Sequence, residues 1–153
     1  YVLVTGATTG LPYWAAKGAK LEGGLVIGIS PAASKIAHVK SYHLPLEYHD
    51  LIVYTGFGYA GRDLLLTRAS DATAIVCGRI GTLNEFTISF EDGKIIGVLE
   101  GTGGTADMIR DILHKADRGF GRTIFSREPR DLVTKLGEMI KSEERDEGVR
   151  YRE

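Results

Sequence analysis

The sequence has little that would place it at once in a specialised class of protein. Among its 153 residues there is one cysteine, Cys77, so there is no internal disulfide framework, and we expect a reducing, cytoplasmic location. No apolar run approaches the ~20 residues that span a bilayer, so no membrane partner is expected. The formal net charge is −1, so no overall field attracts nucleic acid, and none is expected as a partner.

Short apolar runs alternate along the chain with segments of helical period, and the length fits one domain. The predicted strands lie at residues 1–5, 25–29, 51–55, 72–77, 94–99 and 123–125. The predicted helices lie at residues 12–22, 62–70, 82–91, 106–115 and 129–145. Continuous apolar strands joined by amphipathic helices indicate βαβ units. The predicted fold class is therefore α/β, with a doubly wound, Rossmann-like parallel sheet and helices on both faces.

The sequence predicts a single nucleotide-binding, Rossmann-like domain over residues 1–153. Because a strand-like run begins at Tyr1, we expect a further strand and helix upstream of it. Residues 30–50 are predicted to be irregular, and they hold three of the four histidines: His38, His43 and His49. Their spacing matches no metal-ligand pattern, so no metal site is predicted.

The twenty glycines are the most informative feature, because many of them directly follow a predicted strand. Four such segments are residues 6–10, 56–61, 78–82 and 101–105. The carboxyl ends of parallel strands lie on one edge of a sheet, where open α/β sheets bind ligands and helix N-termini favour phosphate. Any single loop also suits a tight turn, but together they predict a phosphate or nucleotide site. The candidate binding residues in the first two loops are Gly6, Thr8, Gly10, Gly56 and Gly58.

Two common phosphate-binding motifs do not fit these loops. None ends in the Lys-Ser or Lys-Thr pair of a P-loop, which argues against a nucleoside triphosphatase. Gly56, Gly58 and Gly61 match the glycines of the dinucleotide fingerprint. However, the next strand ends in Cys77-Gly78 rather than in the acidic residue that would hold a ribose, so NAD-type binding is disfavoured.

Two charged residues beside the loops each allow two interpretations. Thr82 and Glu85 have the spacing of a capping box, in which the threonine caps a helix and the glutamate bonds back to its N–H. Alternatively, the Glu85 carboxylate faces the crevice, where such a group stabilises an oxocarbenium-like ribosyl centre. Arg62 opens a predicted helix, where a cation is slightly unfavourable unless a phosphate pairs with it. A solvated arginine is the alternative.

Residues 78–85, Gly-Arg-Ile-Gly-Thr-Leu-Asn-Glu, resemble the GGxGTxxE signature of the Lonely Guy family. Members of that family are cytokinin riboside 5′-monophosphate phosphoribohydrolases, often labelled lysine decarboxylase-like. They share a Rossmann-like superfamily with DprA-related and molybdenum-cofactor-carrier proteins. The resemblance covers most of the chain, and residues 55–62 are especially similar to the carrier-like branch.

The resemblance implies roles for individual residues. Arg62 stands fifteen residues before Cys77, the place of the family's arginine, and Glu85 is the signature glutamate, so the two would form a catalytic pair. Residues Gly78, Gly81 and Thr82 would cradle the phosphate.

The sequence departs from the signature at Arg79, which replaces its second glycine. An arginine there either blocks backbone approach to phosphate or adds a charged clamp for a larger anion such as a pterin phosphate. The resemblance also implies a homodimer or a higher homo-oligomer.

Two functional hypotheses follow. The first is an enzyme that hydrolyses the N-glycosidic bond of a nucleoside 5′-monophosphate to base and ribose 5-phosphate, without a required cofactor. The second is a carrier or sensor that binds a molybdopterin or a nucleotide cofactor without turnover. A purely structural domain is a third alternative, and it would leave the glycine crevice without a ligand.

Overall fold

Parallel strands alternate with helices throughout the part of the chain that the computed structural model describes, residues 1–150. The side chains at 144 and 146–150 are not included in that description. The chain divides after Ser70 into two compact units, each with its own three-stranded sheet. The α/β, Rossmann-like fold class is thereby confirmed, while the expectation of a single domain stays a prediction.

The first unit contains strands β1, β2 and β3, with β2 in the middle of its sheet. Its elements are β1 (Val2–Thr5), α1 (Leu11–Leu21), β2 (Leu25–Ser30), α2 (Lys35–Lys40), β3 (Leu51–Tyr54) and α3 (Gly58–Arg68). The register pairs Val4 with Ile27 and Ile29 with Val53, all strands being parallel. Ala16 of α1 and Val26 of β2 are fully buried in this unit.

The second unit contains strands β4, β5 and β6, with β5 in the middle. Its elements are β4 (Ala72–Val76), α4 (Ile80–Glu91), β5 (Ile95–Leu99), a 3₁₀ turn (Ala106–Met108), α5 (Ile109–Lys115), β6 (Thr123–Ser126) and α6 (Pro129–Arg150). All five residues of β5 are buried, as expected for a parallel strand covered on both faces.

Successive residues of β5 point to opposite faces of the second sheet, and each face has its own core. Ile96 and Val98 pack in a cluster with residues of α4 and α5, including Phe86. Ile95 and Leu99 pack in another cluster with residues of α6, including Leu136. Helices therefore cover both faces of this sheet, the arrangement predicted from the sequence.

The structure corrects two details of the predicted elements. Residues 30–50 are not wholly irregular, because α2 lies within them, capped by a hydrogen bond from the Ala37 N–H to the Ser34 hydroxyl. A six-residue helix is too short to give a clear periodic pattern in the sequence. Helix α4 begins at Ile80 rather than at Thr82. Within the described residues, no helix is both long and apolar enough to span a membrane.

Candidate functional site

The predicted glycine loops lie at the carboxyl ends of strands, as the sequence indicates. Residues 6–10 follow β1 and residues 55–57 follow β3 in the first unit. Residues 77–79 follow β4 and residues 100–105 follow β5 in the second. Because every strand is parallel to its neighbours, these loops share the carboxyl edge of their own sheet.

Arg62 lies against the loop that follows β1. It is 6% exposed, in the second turn of α3, and its guanidinium packs on the backbone of Gly6. A Cβ added at Gly6 would overlap Nη1 and stand 2.6 Å from Cζ of that arginine. Arg62 Nε is 3.4 Å from a carboxylate oxygen of the buried Asp63. The absence of a side chain at position 6 therefore leaves the space that the Arg62 guanidinium fills beside the loop, next to the Asp63 carboxylate.

A hydrogen-bonded histidine fixes the start of this first loop. The Thr5 hydroxyl accepts the Ala7 N–H at 3.1 Å and lies 3.0 Å from Nε2 of His49. Nδ1 of His49 is 2.9 Å from the carbonyl oxygen of Glu47 and must donate to it, so Nε2 is the acceptor for the Thr5 O–H. Burial lowers the pKa of His49, which favours the neutral form that this network needs.

The loop after β2 repeats the arrangement with different residues. The Ser30 hydroxyl accepts the Ala32 N–H at 3.0 Å and lies 2.8 Å from Nδ1 of His38. Nε2 of His38 is 2.9 Å from the carbonyl oxygen of Pro45 and donates to it. His38 is fully buried on α2, so its prediction as a loop residue is wrong. Both histidines therefore connect a strand-end loop to a backbone carbonyl through their two ring nitrogens.

The loop after β3 is anchored through its backbone. The Thr55 hydroxyl donates to the Ser30 carbonyl at 2.7 Å and accepts the Phe57 N–H at 3.3 Å. The N–H groups of Gly56 and Gly58 donate to the carbonyl oxygens of Ala32 and Pro31, at 3.0 and 3.1 Å. Gly56 has φ 73° and Gly58 has φ 64°, conformations that glycine adopts without strain.

In the second unit, the segment after β4 makes the tight turn into α4. Gly78 has φ 90°, and a Cβ there would overlap the side chain of Thr82, so these two predicted ligand residues are packed against each other. Arg79 is exposed and is the N-cap residue of α4. Gly81 and Thr82 lie in the first turn of the helix, where backbone N–H groups have no partner within the helix.

The capping-box interpretation of Thr82 and Glu85 is wrong. The N-cap residue of α4 is Arg79, and it makes no side-chain cap hydrogen bond in the described structure. Glu85 is the sixth residue of the helix, too far along to reach the N-cap, and its side chain is half-buried. The helix already includes residues 80 and 81, and the spacing of Thr82 and Glu85 gives no indication of this earlier start.

The glycine loop after β5 is occupied by a side chain of the protein itself. The Asp107 carboxylate accepts the N–H groups of Gly101 and Gly103, at 2.6 and 2.9 Å. The same loop holds the segment after β4, because the Thr105 N–H and the Ala106 N–H donate to the carbonyls of Gly78 and Cys77. This fourth loop is therefore a support for its neighbour, and its prediction as a phosphate cradle is not favoured.

Three helices that follow glycine loops share an unusual N-terminus. Helices α1, α3 and α4 begin, as far as the described residues show, without a side-chain cap and without an acidic residue in the first turn. Their N-cap residues are Gly10, Phe57 and Arg79. By contrast, α2 is capped by Ser34, and α6 has Asp131 in its first turn. The three uncapped turns present N–H groups and a positive dipole end to an anion.

Other features of the described residues do not compete with these loops as sites. No group of three or more His, Cys, Asp or Glu side chains there is arranged to hold a metal ion. A depression of about 320 Å³ lies at the amino-terminal edge of the second sheet, lined by residues including Asp71, Asp92 and Arg122. Its lining also includes Lys94 and Glu143, so three carboxylates oppose two cations and the depression offers little attraction to an anion.

Comparison with known proteins gives the family. The model of the SLOG cluster4 family matches residues 1–133. The chain belongs to the SLOG cluster4 family. This confirms the Rossmann-like superfamily predicted from the glycine signature.

An archaeal protein and a solved structure are similar to this SLOG protein. An uncharacterized protein from Archaeoglobus fulgidus is 32% identical over 100 residues, which are 65% of this chain and 60% of the relative. The chain thus spans less than two thirds of that relative's length. The X-ray structure of TM1055, a structural genomics target, is similar at 29% identity and TM-score 0.64, over 72% of this chain and 60% of the other.

A second solved structure shares the fold over nearly the whole chain. The molybdenum cofactor binding protein from Rippkaea orientalis superposes with a TM-score of 0.73 at 23% identity, covering 92% of this chain and 78% of its own.

The structure brings some of the predicted site residues together. Arg62 is in contact with Gly6, and Gly78 is in contact with Thr82. Thr8 is half-buried in its loop, and Gly10 is exposed at the start of α1. Arg62 belongs to the first unit and Glu85 to the second, and their action as a catalytic pair stays a prediction.

Proposed function

We propose that this chain binds a phosphorylated, nucleotide-like ligand at the carboxyl edges of its strands. The observation that carries the proposal is the set of three uncapped first turns, α1, α3 and α4, each directly after a glycine loop. Helices that keep such turns free of acidic residues give up a stabilising interaction of about 0.3–1 kcal/mol each at low salt. A ligand phosphate would supply the missing negative charge.

Buried charge supports the same proposal in the first unit. Arg62, in the second turn of α3, packs against Gly6, so its guanidinium lies next to the loop that follows β1, paired through Nε with the Asp63 carboxylate. Arginine is well suited to bind phosphate because its planar guanidinium donates two parallel hydrogen bonds.

The structural relative named as a molybdenum cofactor binding protein suggests which phosphorylated ligand to test beyond nucleotides. A molybdopterin carries a phosphate and a planar pterin, and the uncapped turns fit the phosphate part of that chemistry. In this form the proposed function is that of a carrier or sensor, with Arg79 at the N-cap of α4 as an exposed cation for the ligand.

The proposed phosphate site is tested by placing an acid in the first turn of α4. Ile80 is the first residue of this helix and its side chain is 79% exposed, so a replacement there does not disturb the core. We expect Ile80→Asp to weaken AMP binding about ten-fold or more, since like charges about 4 Å apart repel by roughly 4 kcal/mol near a protein surface, and about 1.4 kcal/mol is ten-fold in affinity. The unfolding temperature of Ile80→Asp should be equal to or higher than that of the natural chain, because an acidic residue in the first turn of a helix is stabilising.

Ile80→Asn is the matched control, because asparagine has nearly the same shape as aspartate but carries no charge. Isothermal titration of AMP and inorganic phosphate into both variants measures the effect. Equal affinity of the two variants for AMP, with clear binding by the natural chain, would show that α4 does not hold the phosphate.

N-glycosidic hydrolysis is a second candidate, favoured by the position of Glu85. Because α4 is not capped by a Thr82–Glu85 pair, the capping-box role does not apply to this carboxylate. In the reaction, water would attack the anomeric carbon as its bond to the base breaks, and the base would leave with a proton. Glu85 would stabilise the ribosyl centre, and Arg62 would orient the substrate.

The hydrolysis candidate is tested by incubating the chain with AMP and measuring free adenine by chromatography. Glu85→Gln and Arg62→Lys are the variants, and unfolding temperatures show whether each is folded. Adenine release by the natural chain that is lost in Glu85→Gln supports the enzyme. AMP binding without release leaves a binding protein.

A further inference from the structure

Phe57 stands at the tip of the loop between β3 and α3, with its ring in solvent. Its side chain is 68% exposed, although the backbone on both sides is fixed. Gly56 and Gly58, its two neighbours, have left-handed conformations and donate hydrogen bonds to carbonyls of the loop after β2. The Phe57 N–H itself donates to the Thr55 hydroxyl at 3.3 Å.

The Cβ of Phe57 packs against the backbone of Gly61. A Cβ added at Gly61 would stand 2.7 Å from Cβ of Phe57, so the side chain begins directly over this glycine in the first turns of α3. A larger residue at position 61 would push the phenylalanine away. The anchored backbone therefore places an exposed ring at a fixed point of the loop, so little backbone ordering is left to be lost on binding.

A second exposed aromatic residue, Tyr59, lies two positions further along the chain, in the first turn of α3. Tyr59 is 51% exposed, and its ring meets that of Tyr42 edge to face, with centroids 5.6 Å apart. Cζ of the buried Arg62 lies 5.8 Å from the centre of the Tyr59 ring. The first turn of α3 thus carries exposed aromatic surface directly beside the N–H groups assigned above to phosphate.

We propose that Phe57 is the stacking platform for the planar ring of the phosphorylated ligand, a purine base or a pterin. This inference rests on the proposed function and extends it from the phosphate to the ring. A phosphate at the N-terminus of α3 would be held one or two residues from Phe57. The ring of the same ligand could then reach the phenylalanine without crossing another helix or strand. Aromatic stacking tolerates different bases, which suits a site read mainly through its phosphate.

The test compares two ligands that share a sugar phosphate and differ in the ring. AMP and ribose 5-phosphate are titrated into the natural chain and into Phe57→Ala, Phe57→Trp and Val133→Ala. Val133 on α6 is 65% exposed and lies far along the sequence from the loop, so its variant controls for loss of exposed apolar surface. We expect Phe57→Ala to bind AMP about ten-fold or more weakly, while the affinity for ribose 5-phosphate changes less than about two-fold.

The other variants and outcomes also test the stacking role of Phe57. Phe57→Trp should retain AMP binding, and Val133→Ala should leave both affinities unchanged. Unchanged AMP affinity in Phe57→Ala, or an equal loss for both ligands, overturns the stacking role while the phosphate site stands. Unchanged AMP affinity with reduced self-association would instead make Phe57 a contact between copies of the chain. If the natural chain binds neither ligand, the proposed function fails and the stacking role fails with it.

Discussion

Replacing Gly104 by alanine tests whether the loop after β5 supports the loop after β4. Gly104 has φ 60°, and an added Cβ would overlap the carbonyl oxygen of Gly78 and stand 3.0 Å from the carbonyl carbon of Cys77. These are backbone atoms, which cannot turn aside as a side chain can. Gly103 is a matched control, since its φ is 78° and a Cβ there would meet nothing within 4 Å.

The expected cost differs between the two variants because only one adds a collision. Left-handed backbone costs an alanine about 1–2 kcal/mol, and this applies to both. Relieving the collision at Gly104 also separates the Thr105 N–H from the Gly78 carbonyl, which are hydrogen-bonded at 3.1 Å. Such a bond contributes about 1 kcal/mol, and a buried group left without its partner costs about 1–3 kcal/mol. We expect Gly104→Ala to cost about 2–4 kcal/mol in total.

Urea unfolding followed by circular dichroism measures both variants against the natural chain. With a urea m-value of about 2 kcal/mol/M, a difference of about 1–2 kcal/mol between the variants separates the two midpoints by roughly 0.5–1 M, with Gly104→Ala lower. AMP affinity should also fall more in Gly104→Ala, because the Gly78 segment moves. Equal midpoints for the two alanine variants would refute the claim that the fourth loop holds its neighbour.

Three further sets of substitutions test the hydrogen bonds of His49, the backbone contacts of Asp107 and the helix cap at Ser34. Because burial lowers the folded-state pKa of His49 below about 6.5, stability should fall as pH drops from about 6.5 towards that folded pKa, by at most about 1.4 kcal/mol per pH unit. His49→Gln should lose this dependence of stability on pH. Parallel stability–pH curves for the variant and the natural chain would contradict a neutral His49 in the hydrogen-bond network. Asp107→Ala should cost about 1–2 kcal/mol in urea unfolding, whereas an unchanged midpoint would show that its two backbone contacts contribute nothing. Ser34→Ala should cost about 1 kcal/mol and Ser34→Asp little, and the reverse order would rule out the cap on Ala37.

Much of the fold follows from the sequence because its strands and helices have clear patterns. Continuous apolar runs such as residues 95–99 predicted buried parallel strands, and the structure places strands in all six predicted segments. Helix α2 was missed because six residues give too little periodicity, and because its buried residue is His38, a polar type. Its signal in the sequence is the serine at position 34, which caps it.

The candidate site was predictable in its location and less so in its details. Glycines after strands located the loops, since backbone that turns sharply at a strand end needs them. The occupation of one loop by Asp107 depends on a side chain six residues away from Gly101, and no local motif announces it. The packing of Arg62 on Gly6 joins residues on different elements, which spacing alone cannot show.

Titration of the isotope-labelled chain with AMP, followed through its backbone amide NMR signals, tests the central claim most directly. The account predicts saturable shifts at the first turns of α3 and α4, at Tyr59, Ala60, Gly81 and Thr82. The amide of Gly101 should respond little, because Asp107 already accepts its hydrogen bond. Shifts confined to the opposite edge of the second sheet, around Lys94 and Arg122, or no saturable shift at all, would contradict a phosphate site at the uncapped helix N-termini.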